Sequence, residues 1–315
     1  MIPPISDALL LLAQVLAGAW ALRFAATLLL APWSRRPDGD RVPIPVYRRL
    51  MLHIMRTKTE STVYFDAWVK AEALLPYVAE ARQRCGANLT HAVVAATGLC
   101  LQQHPRLNRF TSGQRLYQRR GRHVSFSMKR AVGEDGKVTR GSELATVKIE
   151  HRDQEPFAAL CARINGDIRL QRSGQRTATD KEYALFDLLP DLALRPAAAL
   201  IRWLDDHNLL PAFFIEGDAL FASAFVANLG SLGMDPGYHH LFEYGNTPIF
   251  VMVGQLKDEV VIEDGQPRVA PRLHLRFTFD ERIDDGLNAR HAMDTLVAAL
   301  EDPVRWLGPL PPPGA

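Results

Sequence analysis

The stretch richest in chemistry is Asp280-Glu281-Arg282-Ile283-Asp284-Asp285-Gly286, where four carboxylates share a few turns of chain with one guanidinium. A carboxylate acts as a general base when burial raises its pKa, because desolvation disfavours the charged form. Like charge from Asp280, Asp284 and Asp285 would push Glu281 the same way, while Arg282, pairing with a neighbouring carboxylate, would pull the other way. Glu281 therefore has two readings, an altered base or ligand contact, or a solvated or salt-bridged loop carboxylate. Histidines offer other bases. His291 is out of phase with Ala289, Met293, Leu296 and Leu300 on one helical face, so it points away from the core. His274, between Leu273 and Leu275, reads as a residue on a strand face, and His104 as a surface helix end. The adjacent pair His239 and His240 either packs within a loop or serves a site. Cys85, Cys100 and Cys161 are too few and too scattered for a disulfide framework or a zinc site, which fits a reducing cytoplasm.

The acidic run must be held by the elements on either side. Residues 273–279 read as a strand and 287–300 as a closing helix. Upstream, 222–230 and 247–254 read as strands, the second a continuous apolar run suited to a fully buried position. Towards the start, the periodicity predicts a helix over 47–60, a strand over 62–69 and a helix over 71–84. Asn88 caps a further helix whose apolar positions are Val93, Val94, Ala96, Cys100 and Leu101. Alternation over 123–132 predicts a strand, a Gly-Glu-Asp-Gly turn follows at 133–136, and extended chain ends at 146–149 before a helix over 155–170. Within 181–218 lies a short amphipathic helix, 197–204, with proline at its start, followed by Leu209-Leu210-Pro211-Ala212-Phe213-Phe214. Such an apolar insert could cover an entrance, touch a membrane or partner, or add to the core or a subunit contact.

With 315 residues and a formal charge of +2, the chain can hold one large domain or two ordinary ones and carries no excess of basic charge. The densest basic run, 115–122, is short and reads as a solvated loop rather than a nucleic-acid surface. From Ala8 to Trp33 the chain is almost wholly apolar, interrupted by Gln14, Gly18 and Arg23. Its length would span a bilayer, for which ~20 apolar residues suffice. No basic region precedes it, so it does not read as a cleaved signal peptide. Arg23 opposes a simple span, since a central arginine costs roughly 2.5–3.5 kcal/mol on insertion scales. Arg35 and Arg36 would hold the remainder on the cytoplasmic side. A membrane-attached helix and a helix buried against the protein or its oligomer both fit, and a polar linker over 34–45 follows.

Four segments carry a resemblance, in a consistent order: His104-Pro105-Arg106-Leu107-Asn108, Ser223-Ala224-Phe225-Val226-Ala227-Asn228-Leu229-Gly230, the strand from Thr247 to Gly254, and Phe277-Thr278-Phe279 with the acidic run. Together they are similar to the acyltransferase superfamily that includes chloramphenicol acetyltransferase and the dihydrolipoamide acyltransferase catalytic domains of 2-oxoacid dehydrogenase complexes. The resemblance covers roughly residues 47–303 apart from the insert. It implies an α/β fold, a two-layer sandwich of mixed sheet and helices, assembled as a homotrimer with active sites between subunits. The family signature is Asp-His-Arg-x-x-Asp-Gly, whose histidine takes a proton from a thiol or hydroxyl. Glu281 stands at that histidine, and Asp285 at the aspartate that orients the loop through an ion pair. The family's oxyanion donor is the serine before Asn-Leu-Gly, and Ala227 stands there.

Asn228, His239 and His240, next to that strand, are the candidate substrate-binding residues. His239-His240 also echoes the His-His-x-x-x-Asp-Gly run of condensation domains, with Tyr244 in place of the aspartate. The expected organisation is a helix and linker over 1–46, an acyltransferase-like domain over 47–308 with an insert at about 181–218, and a disordered tail over 309–315. No lipoyl-type domain fits within the first 46 residues. The resemblance implies neither a metal nor a bound cofactor, with acyl-CoA or a similar thioester as co-substrate. Two functions remain open: acyl transfer with an altered apparatus, and a catalytically silent protein serving binding, assembly or regulation. The expected location is the cytoplasm, free or on the inner face of the membrane.

Overall fold

The computed structural model describes residues 5–30, 36–130, 144–173 and 189–312. Its centre is a six-stranded mixed sheet in the order β2-β9-β8-β7-β5-β6, built from β2 (Thr62–Lys70), β5 (His123–Lys129), β6 (Leu144–Glu150), β7 (Ala224–Asn228), β8 (Ile249–Glu263) and β9 (Gln266–Asp280). The pairs β5–β7 and β7–β8 are parallel and the others antiparallel. Parallel neighbours are buried on both faces, and β7 and the first half of β8 accordingly read as unbroken apolar runs. A smaller antiparallel sheet, β1 (Gly39–Arg41), β4 (Arg115–Arg119) and β3 (Arg109–Ser112), lies beside it.

One face of the large sheet is covered by helices. The helix α4 (Leu89–Gln103) is buried along its middle and begins with a reciprocal cap, in which Asn88 accepts from the backbone of His91 and the His91 ring accepts from that of Asn88. Beside it lie α3 (Leu74–Cys85), α5 (Phe157–Arg172), α8 (Gly286–Glu301) and the short α9 (Pro303–Leu307). Together with the sheet they enclose the main core. The other face carries a second cluster, Phe225, Leu241, Phe250 and Met252. A third cluster, Leu210, Ile215 and Phe221, lies under α6 (Asp191–Asp206) and α7 (Ala212–Gly217). The remaining helices are α1 (Ile5–Leu30) and α2 (Val46–Ile54).

Several elements differ from the sequence expectation. The short helix read over 197–204 with proline at its start is the 16-residue α6, and Pro196 lies inside it. The helix expected over 47–60 ends at Ile54 because the Glu60 carboxylate accepts the backbone N–H groups of Arg56 and Thr57 at 2.8 and 3.2 Å, closing a turn. The strands over 247–254 and 273–279 are the inner halves of β8 and β9, which run 15 residues each and reverse at Asp264-Gly265. Both turn residues have positive φ, 51° and 78°, as a two-residue hairpin requires. The basic run at 115–122 is not a solvated loop. It contains β4, and Arg119 is 4 % exposed. The Gly133–Gly136 turn and residues 181–188 of the insert lie outside the described residues.

Candidate active site

The acidic run closes β9 and leads into α8, and each of its four carboxylates sits in a different environment. Asp280 is 1 % exposed and grips the Arg282 guanidinium in a two-pronged pair, Nε to Oδ1 at 2.9 Å and Nη2 to Oδ2 at 2.8 Å. Ser61 Oγ adds a bond to the same carboxylate at 2.9 Å. Such planar, charge-assisted pairs fix direction as well as energy. Asp284 is fully buried and accepts from Arg106 Nη2 at 2.6 Å, from the Asp285 N–H at 3.0 Å and from Asn288 Nδ2 at 3.2 Å. Asp285 is exposed and caps α8 by accepting from the Asn288 N–H at 2.9 Å.

The loop-orienting ion pair expected of Asp285 therefore belongs to its neighbour. Asp284 faces inward to Arg106, whereas Asp285 orients the loop as a helix cap. Glu281 is held through its backbone, its N–H donating to Ser61 O at 3.0 Å, and its side chain is half-buried. Among the described residues the Glu281 carboxylate has no hydrogen bond or ion pair. Every other acid of the run is engaged by the fold.

Lys58, which gave no signal in the sequence, braces the loop from behind. It is 5 % exposed, and its ammonium donates to the carbonyls of Phe242 at 2.8 Å and Gly245 at 2.6 Å. Burial pushes its pKa down to about 8 even though Asp280 opposes the shift. Lys58 thus ties the start of β2 to the segment that holds His239 and His240. Lys58, Arg282, Asp205 and Glu243 border a polar cavity of about 80 Å³. Ligand sites run to roughly 300–1,000 Å³, so this space suits water rather than substrate.

The strand β7 brings the second candidate group to the opposite face from the helices. Ala227 is half-buried beside the cluster of Phe225, Phe250 and Met252, and it offers a methyl where an oxyanion donor would stand. Asn228 is engaged at both ends of its amide, donating to Thr90 Oγ1 at 3.0 Å and accepting from the Ser231 N–H at 3.0 Å. It pins the turn after β7 onto α4. Gly230 is required there, since a Cβ would lie 2.1 Å from the Gly254 carbonyl oxygen. The His239 ring stacks on Phe250 with centroids 4.6 Å apart, and its Nδ1 contacts the His240 carbonyl at 2.6 Å. His240 Nδ1 likewise contacts the Leu241 carbonyl at 3.0 Å. The His239 ring covers the sheet face that bears Ala227, with His240 stacked outside it, and burial lowers the pKa of His239.

The remaining candidates fall where the sequence put them or serve the fold. His291 is exposed on α8, while His104 is half-buried, its Nε2 2.8 Å from Thr295 Oγ1. His274 bonds Asp66 at 2.8 Å and stacks on Trp68. Burial pushes the Cys100 thiol up to about 12 and Cys161 higher still, so neither is a nucleophile near neutral pH. Among the described residues no group of three histidine, cysteine or acidic side chains could hold a metal ion.

Comparison with known proteins agrees with this architecture. Residues 221–308, spanning β7 to α9, match the family of 2-oxoacid dehydrogenases acyltransferase (catalytic domain). No curated protein sequence matches the chain. Among solved structures, a probable dihydrolipoamide acetyltransferase from Listeria monocytogenes is 15 % identical, with a TM-score of 0.53 over 84 % of this chain and 94 % of that one. The dihydrolipoamide acetyltransferase of Azotobacter vinelandii is 16 % identical, with a TM-score of 0.54 over 85 % and 93 %. A truncated catalytic core of the 2-oxoacid dehydrogenase multienzyme complex from Thermoplasma acidophilum is 14 % identical, with a TM-score of 0.50 over 84 % and 99 %. The fold is that of these acyltransferase cores, and three of the four segments that carry the sequence resemblance fall within the matched residues 221–308.

Proposed function

We propose that this chain is an acyltransferase of the 2-oxoacid dehydrogenase type that uses Glu281 as its general base. One observation carries the reading: of the four carboxylates on the signature loop, Glu281 alone lacks a partner, on a loop whose backbone is fixed on both sides. A side chain placed so has its proton-accepting oxygens available to an incoming group. In the proposed step, a thiol or hydroxyl of the acceptor attacks the carbonyl carbon of a CoA-type thioester while Glu281 takes its proton. The new bond to carbon forms, the tetrahedral intermediate collapses, and the carbon–sulfur bond to CoA breaks. The departing thiolate then recovers the proton from Glu281. Ala227 cannot donate to the oxyanion, and a missing donor costs about 10²–10³ in turnover, so the reaction is slow by the family's standard.

The site is completed between subunits of a homotrimer, in keeping with the multienzyme core among the similar structures. The domain lies in the cytoplasm, and α1 attaches it to the inner face of a membrane. The same methyl at Ala227 favours a second reading, a catalytically silent protein that keeps the fold for binding or assembly. A panel of acyl-CoA donors with thiol, hydroxyl and amine acceptors separates the two. Turnover that falls at least about 10²-fold in Glu281→Gln supports the base. Equal rates in the two proteins for every pair remove it.

A further inference from the structure

At the foot of α1 is a cleft of about 510 Å³ whose charge is one-sided. Arg23, Arg41, Arg49, Arg115 and Arg202 line it, against the single carboxylate of Asp206. That carboxylate is turned aside, accepting from the Gly113 N–H at 2.9 Å. Among the described residues no ion pair or side-chain hydrogen bond engages Arg41, Arg49 or Arg202. Arg115 gives one guanidinium nitrogen to the Asp206 carbonyl, and its buried Nε has no partner. A cleft lined by one sign of charge focuses its field and attracts an anion.

The surroundings specify which anion. None of the window Ala8–Ala26 of α1 is buried, and it is long and apolar enough to cross a bilayer. Fifteen uncharged residues, 8–22, lie between Asp7 and Arg23. At 1.5 Å per residue they reach about 22 Å, so with these two charges at its edges the helix crosses most of the ~30 Å hydrocarbon thickness. Arg23 then falls at the level of the headgroups, where it joins the cleft, and its cost as a central charge disappears. Trp20, 68 % exposed and stacked on Phe24, stands one turn earlier, where indole rings favour the interface. Trp203, on the rim of the cleft, is 44 % exposed. On α2, Val46, Tyr47, Leu50 and Ile54 are exposed beside the basic residues, giving an apolar and cationic surface that matches the interface of an anionic leaflet.

We propose that this cleft binds the phosphate-bearing headgroup of an anionic phospholipid. The arginines of α1, β1, α2, β4 and α6 close around one headgroup and so fix the domain against the membrane. The inference rests on membrane attachment through α1 and is independent of acyl transfer.

The test uses full-length protein. Flotation on reconstituted phosphatidylcholine vesicles reads α1 alone. Titration of phosphatidylglycerol into detergent micelles, followed by melting temperature, reads the cleft. The expected result is flotation on the neutral vesicles and a saturable rise in melting temperature with phosphatidylglycerol that added phosphatidylcholine does not give. Arg49→Gln/Arg202→Gln removes two exposed side chains without partners, so its melting temperature without lipid should equal that of the wild type. Its apparent affinity for phosphatidylglycerol should fall about 30-fold, at about fivefold per basic residue. Arg41→Gln alone should lose about fivefold, which keeps the test available if the double variant folds poorly. An equal rise from phosphatidylcholine, an equal rise from inorganic phosphate, or an unchanged affinity in the variants overturns the proposal while leaving the attachment intact. Failure to float on neutral vesicles overturns both.

Discussion

Neutralising the signature carboxylates one at a time, by Asp280→Asn, Glu281→Gln, Asp284→Asn and Asp285→Asn, should give four different stabilities. Asp280 and Arg282 are 1 % and 6 % exposed and bonded through both nitrogens. Removing one charge strands the other in the interior, at about 3–5 kcal/mol. Asp284 is as buried, but Arg106 is half-exposed and can turn to water. The loss there is one charge-assisted bond, about 1–3 kcal/mol. Asparagine caps a helix about as well as aspartate, so Asp285→Asn should cost a few tenths of a kcal/mol. Glu281→Gln removes no bond and should stay within about 0.5 kcal/mol of the wild type. Urea unfolding gives the four values, provided the slope is unchanged between variants. Acyl transfer by the same proteins should reverse the order for Glu281, with the largest loss of rate from the smallest loss of stability. If Glu281→Gln destabilises the fold as much as Asp280→Asn, Glu281 is a structural residue and the assignment of a base is wrong.

Three other outcomes follow from the same geometry. Ala227→Ser restores a hydroxyl at the oxyanion position and should raise acyl transfer by up to about 10²–10³, read as kcat with KM little changed; an unchanged rate would mean that the reacting carbonyl does not pass this strand. Burial lowers Lys148 from its ordinary 10.5 to about 8, so between those values the unfolded chain holds a proton that the folded one has released. Stability should therefore rise with pH across that window, with at most about 1.4 kcal/mol per pH unit from Lys148, the burial cost being fully present below it. Lys58 adds a contribution of the same sign, so in urea unfolding Lys148→Met should reduce the slope without abolishing it. Arg36→Met should cost about 3–5 kcal/mol, because it leaves Asp38 and Asp205 buried without the cation at 2.7 and 2.5 Å, and thermal unfolding would report it.

What could be read in the sequence was what periodicity and local order encode. The strands bracketing the signature, the cap at Asn88 and the closing helix all rest on neighbours within a few residues. That Arg282 would pair with a nearby carboxylate was also legible, but which one was not. The chain turns just past β9, and the Asp280 carboxylate accepts both the backbone N–H and the guanidinium of Arg282. The inward turn that gives Asp284 to Arg106 depends on a residue 178 positions away. Composition misled most at Arg119. An arginine in a basic run reads as solvated, yet here it lies over the Phe110 ring at 4.3 Å and bonds Asn246 Oδ1 at 2.6 Å. Its burial lowers its pKa to about 10, a shift that Asp38 opposes only in part. The outer halves of β8 and β9 were hidden because both faces there are wet and charged residues interrupt the apolar alternation.

The described part of the insert read over 181–218 has a specific structural task. A helix leaves its last carbonyls unsatisfied and its C-terminus negative, so cations are favoured there. At the end of α6 the Asp205 carbonyl accepts from Arg36 at 3.0 Å and from Ser112 at 3.0 Å, while the Asp206 carbonyl accepts from Arg115. The Asp205 carboxylate takes Arg36 again at 2.5 Å. Arg36 comes shortly after α1, so the end of α6 fixes where the chain enters the domain from that helix. It fixes the same point against β3 and β4, whose Ser112 and Arg115 share these bonds. One turn earlier on α6, Arg202 and Trp203 reach the basic cleft at the foot of α1. Covering an entrance would call for few buried contacts and easy opening, whereas α6 is anchored by a buried guanidinium and two backbone acceptors. Its geometry is that of a clamp, holding Arg36 and the start of the described domain against β3 and β4.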